Sequence, residues 1–210
     1  IVNLTGPYEV PSDAGQVIIV NSAHISLTGM NLSYTDIGLE VAYSENIQLE
    51  NSIISQNNRG IYCCWYGISD IIITGCTISK NAGDGIYCYG VSNITITDCT
   101  ISQNADDGIA CRCSSNIIIT GCTMSQNDDS IACYDSSNIT IMNCTISRNW
   151  WGIYCVRSFS ITITDCTISQ SADDGIYCYY SSDITIMNCT ISYNDRHGVY
   201  CYCSSDIAIM

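Results

Sequence analysis

The stretch NITITDCTISQN at residues 93–104 shows the pattern on which most of the chain is built. Isoleucine alternates with threonine up to a bend at Asp98, and the alternation resumes through Ile101. Apolar β-branched residues at every second position predict short β-strands, because helices repeat about every 3.6 residues. Runs rich in Asn, Asp, Gly and Ser, such as 104–108 and 114–116, predict turns between the strands.

This stretch returns along the chain with a nearly constant step. The cysteine of its Cys-Thr-Ile-Ser segment recurs after 23, 23, 22, 22 and 23 residues. A second segment of the Gly-Ile-Tyr-Cys type recurs with similar steps. Three short strands cannot bury an apolar face alone, whereas stacking successive coils in parallel does bury it. The sequence therefore predicts an all-β fold, a parallel β-helix of about eight to nine coils with 22–23 residues per coil.

The regularity of the repeat changes along the chain. We expect one β-helix domain over residues 1–210, with divergent coils in 1–66. Regular, cysteine-rich coils follow in 67–210, and the last of them ends in the middle of a coil. Because the chain starts at Ile1 rather than at a methionine, we expect a mature form whose targeting segment has been removed.

The whole repeat resembles a known one. Gly-Ile-Tyr-x, a turn and then Ser-Asn-Ile-Thr-Ile-Thr-Asp-x-Thr-Ile-Ser-x-Asn is similar to the right-handed parallel β-helix repeat family. This resemblance covers nearly the whole chain and implies a right-handed solenoid, a fold that hosts many activities, carbohydrate-active enzymes among them. Among its members, the cysteine-rich acidic chain is most similar to tubular sheath and cell-surface proteins of methanogenic archaea, which implies a structural role.

Composition excludes several classes of function. Six Lys+Arg against twenty Asp+Glu give a net charge of −14, so no basic surface exists for a nucleic acid partner. The sequence contains no run of 18 apolar residues, so it predicts no membrane span. The sixteen cysteines lack zinc or iron–sulfur spacing, so we expect no metal centre and favour disulfides in an oxidising compartment. The cysteine content and six candidate glycosylation sites together predict an extracellular or cell-envelope glycoprotein. The sites are Asn3, Asn31, Asn93, Asn138, Asn143 and Asn188.

Most of the cysteines fall into two repeated positions per coil. Cys166 and Cys178 lie symmetrically about the turn at Ala172, so a fold at this turn would bring them face to face across the core. We therefore expect one disulfide per regular coil; buried free thiols, or pairing between coils, are the alternatives. The expected pairs are Cys76–Cys88, Cys99–Cys111, Cys122–Cys133, Cys144–Cys155, Cys166–Cys178 and Cys189–Cys201. The remaining cysteines are expected to bond between molecules or to stay unpaired: Cys63, Cys64, Cys113 and Cys203.

We expect no catalytic residues, and therefore no enzyme. The Asp106-Asp107-Gly108 and Asp173-Asp174-Gly175 segments look like catalytic carboxylate pairs, but their recurrence at the repeat period favours a turn-forming role. The trio of Asp195, Arg196 and His197 is interpreted as a solvated turn. No cofactor is expected, and a structural calcium ion at the stacked Asp-rich turns is the alternative.

The outward positions carry two regular ranks of side chains. One is a Thr-x-Ser rank, which would suit ordered water or ice. The other is rich in tyrosine, which fits an interface because the ring packs while the hydroxyl keeps a partner. Together with the apolar residues at both ends, it predicts head-to-tail and lateral self-association. The expected interface residues are Tyr87, Tyr154, Tyr177, Tyr200, Ile207, Ile209, Met210 and Ile1.

The sequence taken alone therefore favours a structural role. We expect an extracellular protein that self-assembles into a disulfide-reinforced sheath or surface layer. The first alternative is a carbohydrate-active or carbohydrate-binding β-helix protein. The second is an ice-binding protein that uses the Thr-x-Ser rank.

Overall fold

The computed structural model describes residue 12 and residues 14–210, and in this part of the chain it is a parallel β-helix. All twenty-four elements of the described residues are strands. Each complete coil contributes three strand positions, and each strand hydrogen-bonds to its equivalents in the neighbouring coils. Among the described residues, no helix is long and apolar enough to cross a membrane.

The strands form three series that run along the helix axis. The first series is β1 (Val17–Val20), β4 (Ile37–Ala42), β7 (Arg59–Thr74), β9 (Ile86–Thr97), β11 (Ile109–Arg112), β14 (Asp129–Tyr134), β17 (Trp151–Val156), β20 (Ile176–Tyr179) and β23 (Val199–Tyr202). The second comprises later parts of β7 and β9 with β2 (Ala23–Thr28), β5 (Glu45–Glu50), β12 (Ser115–Thr120), β15 (Ser137–Met142), β18 (Phe159–Thr164), β21 (Ser182–Met187) and β24 (Ser205–Ile209). The third is β3 (Asn31–Ser33), β6 (Ile53–Ser55), β8 (Thr77–Ser79), β10 (Thr100–Ser102), β13 (Thr123–Ser125), β16 (Thr145–Ser147), β19 (Thr167–Ser169) and β22 (Thr190–Ser192).

Successive coils pair residue on residue, which confirms the predicted parallel β-helix and the range of its coil number. Ile101 pairs with Ile78 on one side and with Met124 on the other. Within the described strands the register shifts once, between Cys64 and Ile68, so most strand residues stack on their equivalents one coil away. Each position of the repeat therefore forms a column along the axis, spaced about 4.8 Å per coil.

The inward columns are aliphatic and fill the solenoid. Ile78, Ile94 and Ile101 have no exposed surface, while the threonines beside them point outward. Removing a buried isoleucine side chain of this kind from water stabilises the fold by about 1.5–3 kcal/mol. Apolar stacking is therefore the main source of stability, as the period-two pattern predicts.

Left-handed backbone recurs at several positions of the coil, and one of them is the corner that follows the second strand series. Its residues have φ between 48° and 65°, a region that costs most L-residues energy but that Gly, Asn and Asp adopt readily. This explains the bend predicted at Asp98. The column consists of Gly29, Asn51, Gly75, Asp98, Gly121, Asn143, Asp165 and Asn188.

Buried polar columns supply hydrogen bonds where the chain turns. The Oδ1 atom of buried Asn104 accepts hydrogen bonds from the backbone and side-chain nitrogens of Asn81, one coil away. At another corner, the Ser136 hydroxyl accepts a hydrogen bond from the Ser114 backbone nitrogen. Backbone groups at these corners would otherwise be buried without partners, which costs about 1–3 kcal/mol each. The same side chain is therefore needed at each of these corners in successive coils.

The core cysteines form two columns. The strand column lies in the first series of strands and comprises Cys63, Cys88, Cys111, Cys133, Cys155, Cys178 and Cys201. The turn column precedes the third series and comprises Cys76, Cys99, Cys122, Cys144, Cys166 and Cys189. Val41 continues the strand column into the preceding coil, and Ser52 continues the turn column.

The six predicted disulfides are not formed. All sixteen cysteines are free thiols, including Cys63, Cys64, Cys113 and Cys203. The physical reason is that each coil has three sides, so its two core cysteines do not face each other as in a hairpin. Each core cysteine instead stacks on its equivalents in the neighbouring coils. Register places Cys88, for example, between Cys63 and Cys111 of its own column. Disulfide bonding under oxidising conditions stays a prediction.

A glycine column lets adjacent coils approach closely near the start of the first strand series. A Cβ atom added at Gly85 would lie 2.7 Å from the Gly108 carbonyl oxygen and 2.9 Å from the Asn104 Nδ2 atom. Both distances are shorter than real Cβ contacts. The column contains Gly38, Gly60, Gly85, Gly108, Gly152, Gly175 and Gly198.

We expect Gly85→Ala to lower the free energy of unfolding by about 1–3 kcal/mol, because the coils must separate to accommodate the methyl group. Urea unfolding followed by circular dichroism measures this loss. The control is Gly90→Ala, where the added Cβ meets no atom within 4 Å but φ is +66°. The control should cost only about 1 kcal/mol, and equal losses would show that close packing is not the cause.

Candidate functional site

An outward column of the first strand series carries the tyrosines. Register aligns Tyr62, Tyr87, Ala110, Ala132, Tyr154, Tyr177 and Tyr200, and we call these residues the tyrosine column. Its rings stack on one another: the Tyr62 and Tyr87 centroids are 5.3 Å apart, and those of Tyr154 and Tyr177 are 5.1 Å apart. The aromatic packing continues beyond Tyr154, whose ring centroid lies 5.6 Å from that of Tyr134 and 4.7 Å from that of Trp151.

The two alanines interrupt this column in its middle. Tyr87 and Tyr154 are separated by three coil steps, or about 14 Å along the axis. Ala110 and Ala132 have no exposed surface, so larger neighbouring side chains close over them. The floor between the two aromatic stacks is therefore covered by these side chains rather than open.

A column of buried carboxylates runs beside this floor. Register stacks Asp84, Asp107 and Asp129 in three successive coils, followed by Trp151 and then by Asp174. Each carboxylate accepts a hydrogen bond from the backbone of the residue one coil further on; Asp84, for example, accepts from Asp107. The aspartates therefore have the turn-stabilising role that their recurrence predicts. Asp84, Asp107 and Asp129 are nevertheless at least 93% buried, which a turn role does not require.

Burial changes the acidity of these groups. It raises the pKa of Asp84 to about 6, of Asp129 to about 7 and of Asp107 to about 8, and repulsion from neighbouring carboxylates adds to each shift. Asp107 is therefore mainly protonated at neutral pH. Burial and the carboxylates of Asp107 and Asp129 also raise the pKa of Tyr134. The three buried aspartates can therefore donate or accept a proton near neutral pH.

Three polar atoms at the same place are buried without hydrogen-bond partners. The Arg112 guanidinium lies 4.4 Å from the centroid of the Tyr134 ring, and its Nε atom is buried without a hydrogen-bond partner. Asp129 Oδ1 and Trp151 Nε1 are likewise buried and unpartnered. Unpaired buried groups are rare and costly in folded proteins. We call the combined group of Asp84, Asp107, Asp129, Arg112, Tyr134 and Trp151 the central cluster.

The expected calcium position falls at the edge of the central cluster. Asp84, Asp106 and Asp107 each offer a carboxylate oxygen, and these oxygens lie within 4.8 Å of one another. Hard oxygen ligands of this kind suit a calcium ion. Asp84 and Asp107 are buried, so an ion here would reduce the repulsion between them, while Asp106 is exposed. Calcium binding stays a prediction.

The remaining predicted site residues lie elsewhere on the surface. Five predicted glycosylation sites are exposed; Asn3 and the predicted interface residue Ile1 lie outside the described residues. The side chains of Asn93 and Asn138 form part of an amide ladder, which gives them a structural role without glycan. The exposed sites are Asn31, Asn93, Asn138, Asn143 and Asn188. Of the predicted interface residues, four are in the tyrosine column and three are exposed in or beside β24: Ile207, Ile209 and Met210.

The predicted solvated turn at 195–197 makes more contacts than expected. His197 Nδ1 lies 2.6 Å from Asp174 Oδ1, and the His197 ring stacks on Tyr200 at 4.9 Å. Arg196 forms an exposed ion pair with Asp173. This group lies three coils from Asp129, so the structure does not bring it into the central cluster.

A recess of about 300 Å³ opens at another corner of the solenoid. Its lining includes Asn21, Tyr43 and Glu45, and Glu45 is its only charged residue. The central cluster, in contrast, combines aromatic, acidic and basic groups. We therefore place the candidate site at the central cluster.

Comparison with known proteins identifies the fold family. The family model described as "Right handed beta helix region" matches residues 12–138 and residues 84–210, which together span almost the whole chain. No curated protein sequence matches the chain.

Several solved structures share the fold. The A-module of the mannuronan C-5 epimerase AlgE4 from Azotobacter vinelandii has a TM-score of 0.64 at 17% identity, over 92% of this chain and 58% of that one. The periplasmic alginate epimerase AlgG has a TM-score of 0.61 at 14% identity, over 92% of this chain and 50% of that one. The pectate lyase Pel9A has a TM-score of 0.55 at 15% identity, over 97% of this chain and 65% of that one. The chain spans about half to two thirds of these structures, and identities this low show the fold alone.

These comparisons correct the expectation that the chain is not an enzyme. The same solenoid carries epimerases and a lyase, so a β-helix with this repeat is not evidence for a purely structural protein. Sequence reasoning assigned the Asp-Asp-Gly turns to backbone geometry alone and missed Arg112, Tyr134 and Trp151. The available signal was the change from tyrosine to alanine at 110 and 132, because a break in a regular column marks a place that differs from the repeat.

The acidity of Asp107 makes stability depend on pH. Its folded-state pKa of about 8 exceeds the ordinary 3.8, so the folded state binds an extra proton between these values and stability falls as pH rises through them. Asp107→Asn should therefore stabilise the protein at pH 9 by at least about 1.4 kcal/mol, the equivalent of one pKa unit, and have little effect at pH 4. Thermal unfolding at both pH values measures the difference.

The control for this prediction is Asp165→Asn, which changes an exposed aspartate in a left-handed corner. It should show no gain at pH 9. A gain of equal size in both variants would attribute the effect to net charge rather than to burial of Asp107.

Proposed function

Because the chain belongs to the right-handed β-helix family, we propose that it is a carbohydrate-active protein that binds a polysaccharide at the central cluster. The observation that carries the proposal is the convergence there of unpartnered buried polar atoms, from Arg112, Asp129 and Trp151, between two aromatic stacks. Sugars present apolar ring faces and many hydroxyl groups. Aromatic rings and unpaired donors and acceptors match both features.

The charges favour an acidic polysaccharide at mildly acidic pH. Asp84, Asp107 and Asp129 have pKa values of about 6, 8 and 7, so near pH 6 much of their negative charge is neutralised. The Arg112 guanidinium is then available to bind a sugar carboxylate. Two solved structures with this fold are named as acting on mannuronan and on pectate, which are acidic polysaccharides.

The central cluster also has the groups needed for acid–base chemistry. A protonated Asp107 can donate a proton to a sugar oxygen, and the ionised form of Asp129 can accept one. Two neighbouring carboxyl groups that titrate near neutral pH can therefore divide the acid and base roles between them. A reaction at a sugar ring that exchanges or removes a proton is the class of chemistry that this arrangement supports.

We further propose that the protein works outside the cytoplasm, where polysaccharides of this kind are found. The name of the alginate epimerase AlgG places that protein in the periplasm. Self-assembly into a sheath or surface layer and ice binding by the exposed Thr-x-Ser rank stay predictions. The carbohydrate role has more support, because it explains the buried aspartates and the unpartnered Arg112 Nε atom.

Binding can be tested by calorimetric titration with polymannuronate, polygalacturonate and a neutral glucan at pH 6. We expect an acidic polysaccharide to bind and Arg112→Gln to weaken this binding at least about tenfold, or about 1.4 kcal/mol. The matched control is Arg157→Gln, which removes an exposed arginine paired with Asp135 and should leave binding unchanged.

Turnover is tested with the same polysaccharides by following new chain ends and changes at the sugar ring. Asp107→Asn should bind the polysaccharide but lose at least about 100-fold in rate, because it removes the proton donor. Absence of binding to every polysaccharide, or full binding by Arg112→Gln, would contradict the proposed site.

A further inference from the structure

The strand column is a line of seven thiols inside the solenoid that core packing alone does not require. Register places one of its cysteines directly above the next in successive coils, from Cys63 to Cys201. Val41 occupies the same position in the preceding coil and is fully buried, so an aliphatic side chain suffices there. What sulfur adds to this position is the capacity to bind soft metal ions.

In the turn column, hydrogen bonding explains the presence of cysteine, so this column can be compared with the strand column. The Cys99 thiol donates to the Thr97 carbonyl at 3.3 Å and accepts a hydrogen bond from the Cys76 backbone nitrogen at 3.4 Å. The Ser52 hydroxyl makes the same two kinds of bond, with Glu50 and Met30. A hydroxyl therefore serves in the turn column as well as a thiol does.

The neighbours of the strand-column thiols along the axis are other thiols. Register places Cys88 between Cys63 and Cys111, and Cys133 between Cys111 and Cys155. Cys88, Cys111 and Cys133 have no exposed surface, so they face the sulfur atoms of adjacent coils rather than solvent.

We propose that the strand column binds a row of soft monovalent metal ions, physiologically Cu(I), with each ion held between the sulfur atoms of two adjacent coils. Thiolates select soft ions such as Cu(I). Successive coils are about 4.8 Å apart, so each inner sulfur has one neighbour above and one below and can bridge two ions. Zinc fits poorly, because it takes four ligands and each interval offers two.

The charge balance favours the proposal. Seven sulfur atoms enclose six intervals, so six Cu(I) ions enter and six thiol protons leave as the sulfur–copper bonds form. One thiol keeps its proton, and copper stays Cu(I) throughout. The loaded column, with six thiolates, six Cu(I) ions and one thiol, is then uncharged. An uncharged row avoids the large cost of burying ions in an apolar interior.

The test begins with the full chain in which the cysteines outside both columns, Cys64, Cys113 and Cys203, are changed to serine. This protein is refolded anaerobically with Cu(I) supplied as its acetonitrile complex. A chromophoric Cu(I) chelator then removes weakly bound metal, and the copper that remains is counted. We expect six Cu(I) per chain, released by acid with a matching uptake of protons.

Single substitutions in this background locate the copper. Cys133→Val divides the column into two groups of three sulfurs and should leave four Cu(I), whereas Cys63→Val shortens the column and should leave five. The matched control Cys122→Ser changes the turn column to the residue found at Ser52 and should leave six. Far-UV circular dichroism of the metal-free variants verifies folding, which Val41 shows to be compatible with valine at this position.

Two results would overturn the proposal. One is a folded background protein that retains no copper against the chelator. The other is an equal loss of copper in Cys122→Ser and Cys133→Val, which would show that the metal does not follow the strand column.

Discussion

The in-register hydrogen bonding between successive coils is the constraint on which this structure depends. Because each strand pairs residue on residue with the strand one coil away, each side chain must pack against its own equivalent. Isoleucine stacks on isoleucine without difficulty. A buried polar residue is stabilised when it hydrogen-bonds to its equivalent in the next coil, as Asn104 and Ser136 do. The repetitive sequence is therefore a physical consequence of the stacking.

The same constraint explains where function is concentrated. In a solenoid of identical coils, every surface position would be equivalent along the axis. The central cluster arises where neighbouring columns change identity, with Ala110 and Ala132 replacing tyrosine and Trp151 following three buried aspartates. Unpartnered buried atoms of Arg112, Asp129 and Trp151 occur at this place, and others occur at Ser171, Asp174 and Asn194.

Much of the fold could be predicted from the sequence, because its two signals are local. The period-two alternation around Ile101 gives the inward positions, and the 22–23-residue step gives the number of coils. The facing of Cys166 and Cys178 could not be predicted in the same way. Symmetry about Ala172 treats the coil as a hairpin, whereas the observed contacts of core thiols are with equivalents one coil away. The raised pKa of Asp107 could not be predicted from the sequence either, since it depends on burial by side chains from several coils.

The central claim is that the coils form one in-register stack, and hydrogen–deuterium exchange of the native protein tests it most directly. Backbone amides of β10, β13, β16 and β19 are bonded only between coils. The account predicts that these amides and those of the first strand series, from β9 to β20, are protected and exchange together in one cooperative opening. Rapid exchange of the three-residue strands, or independent opening of single coils, would contradict it.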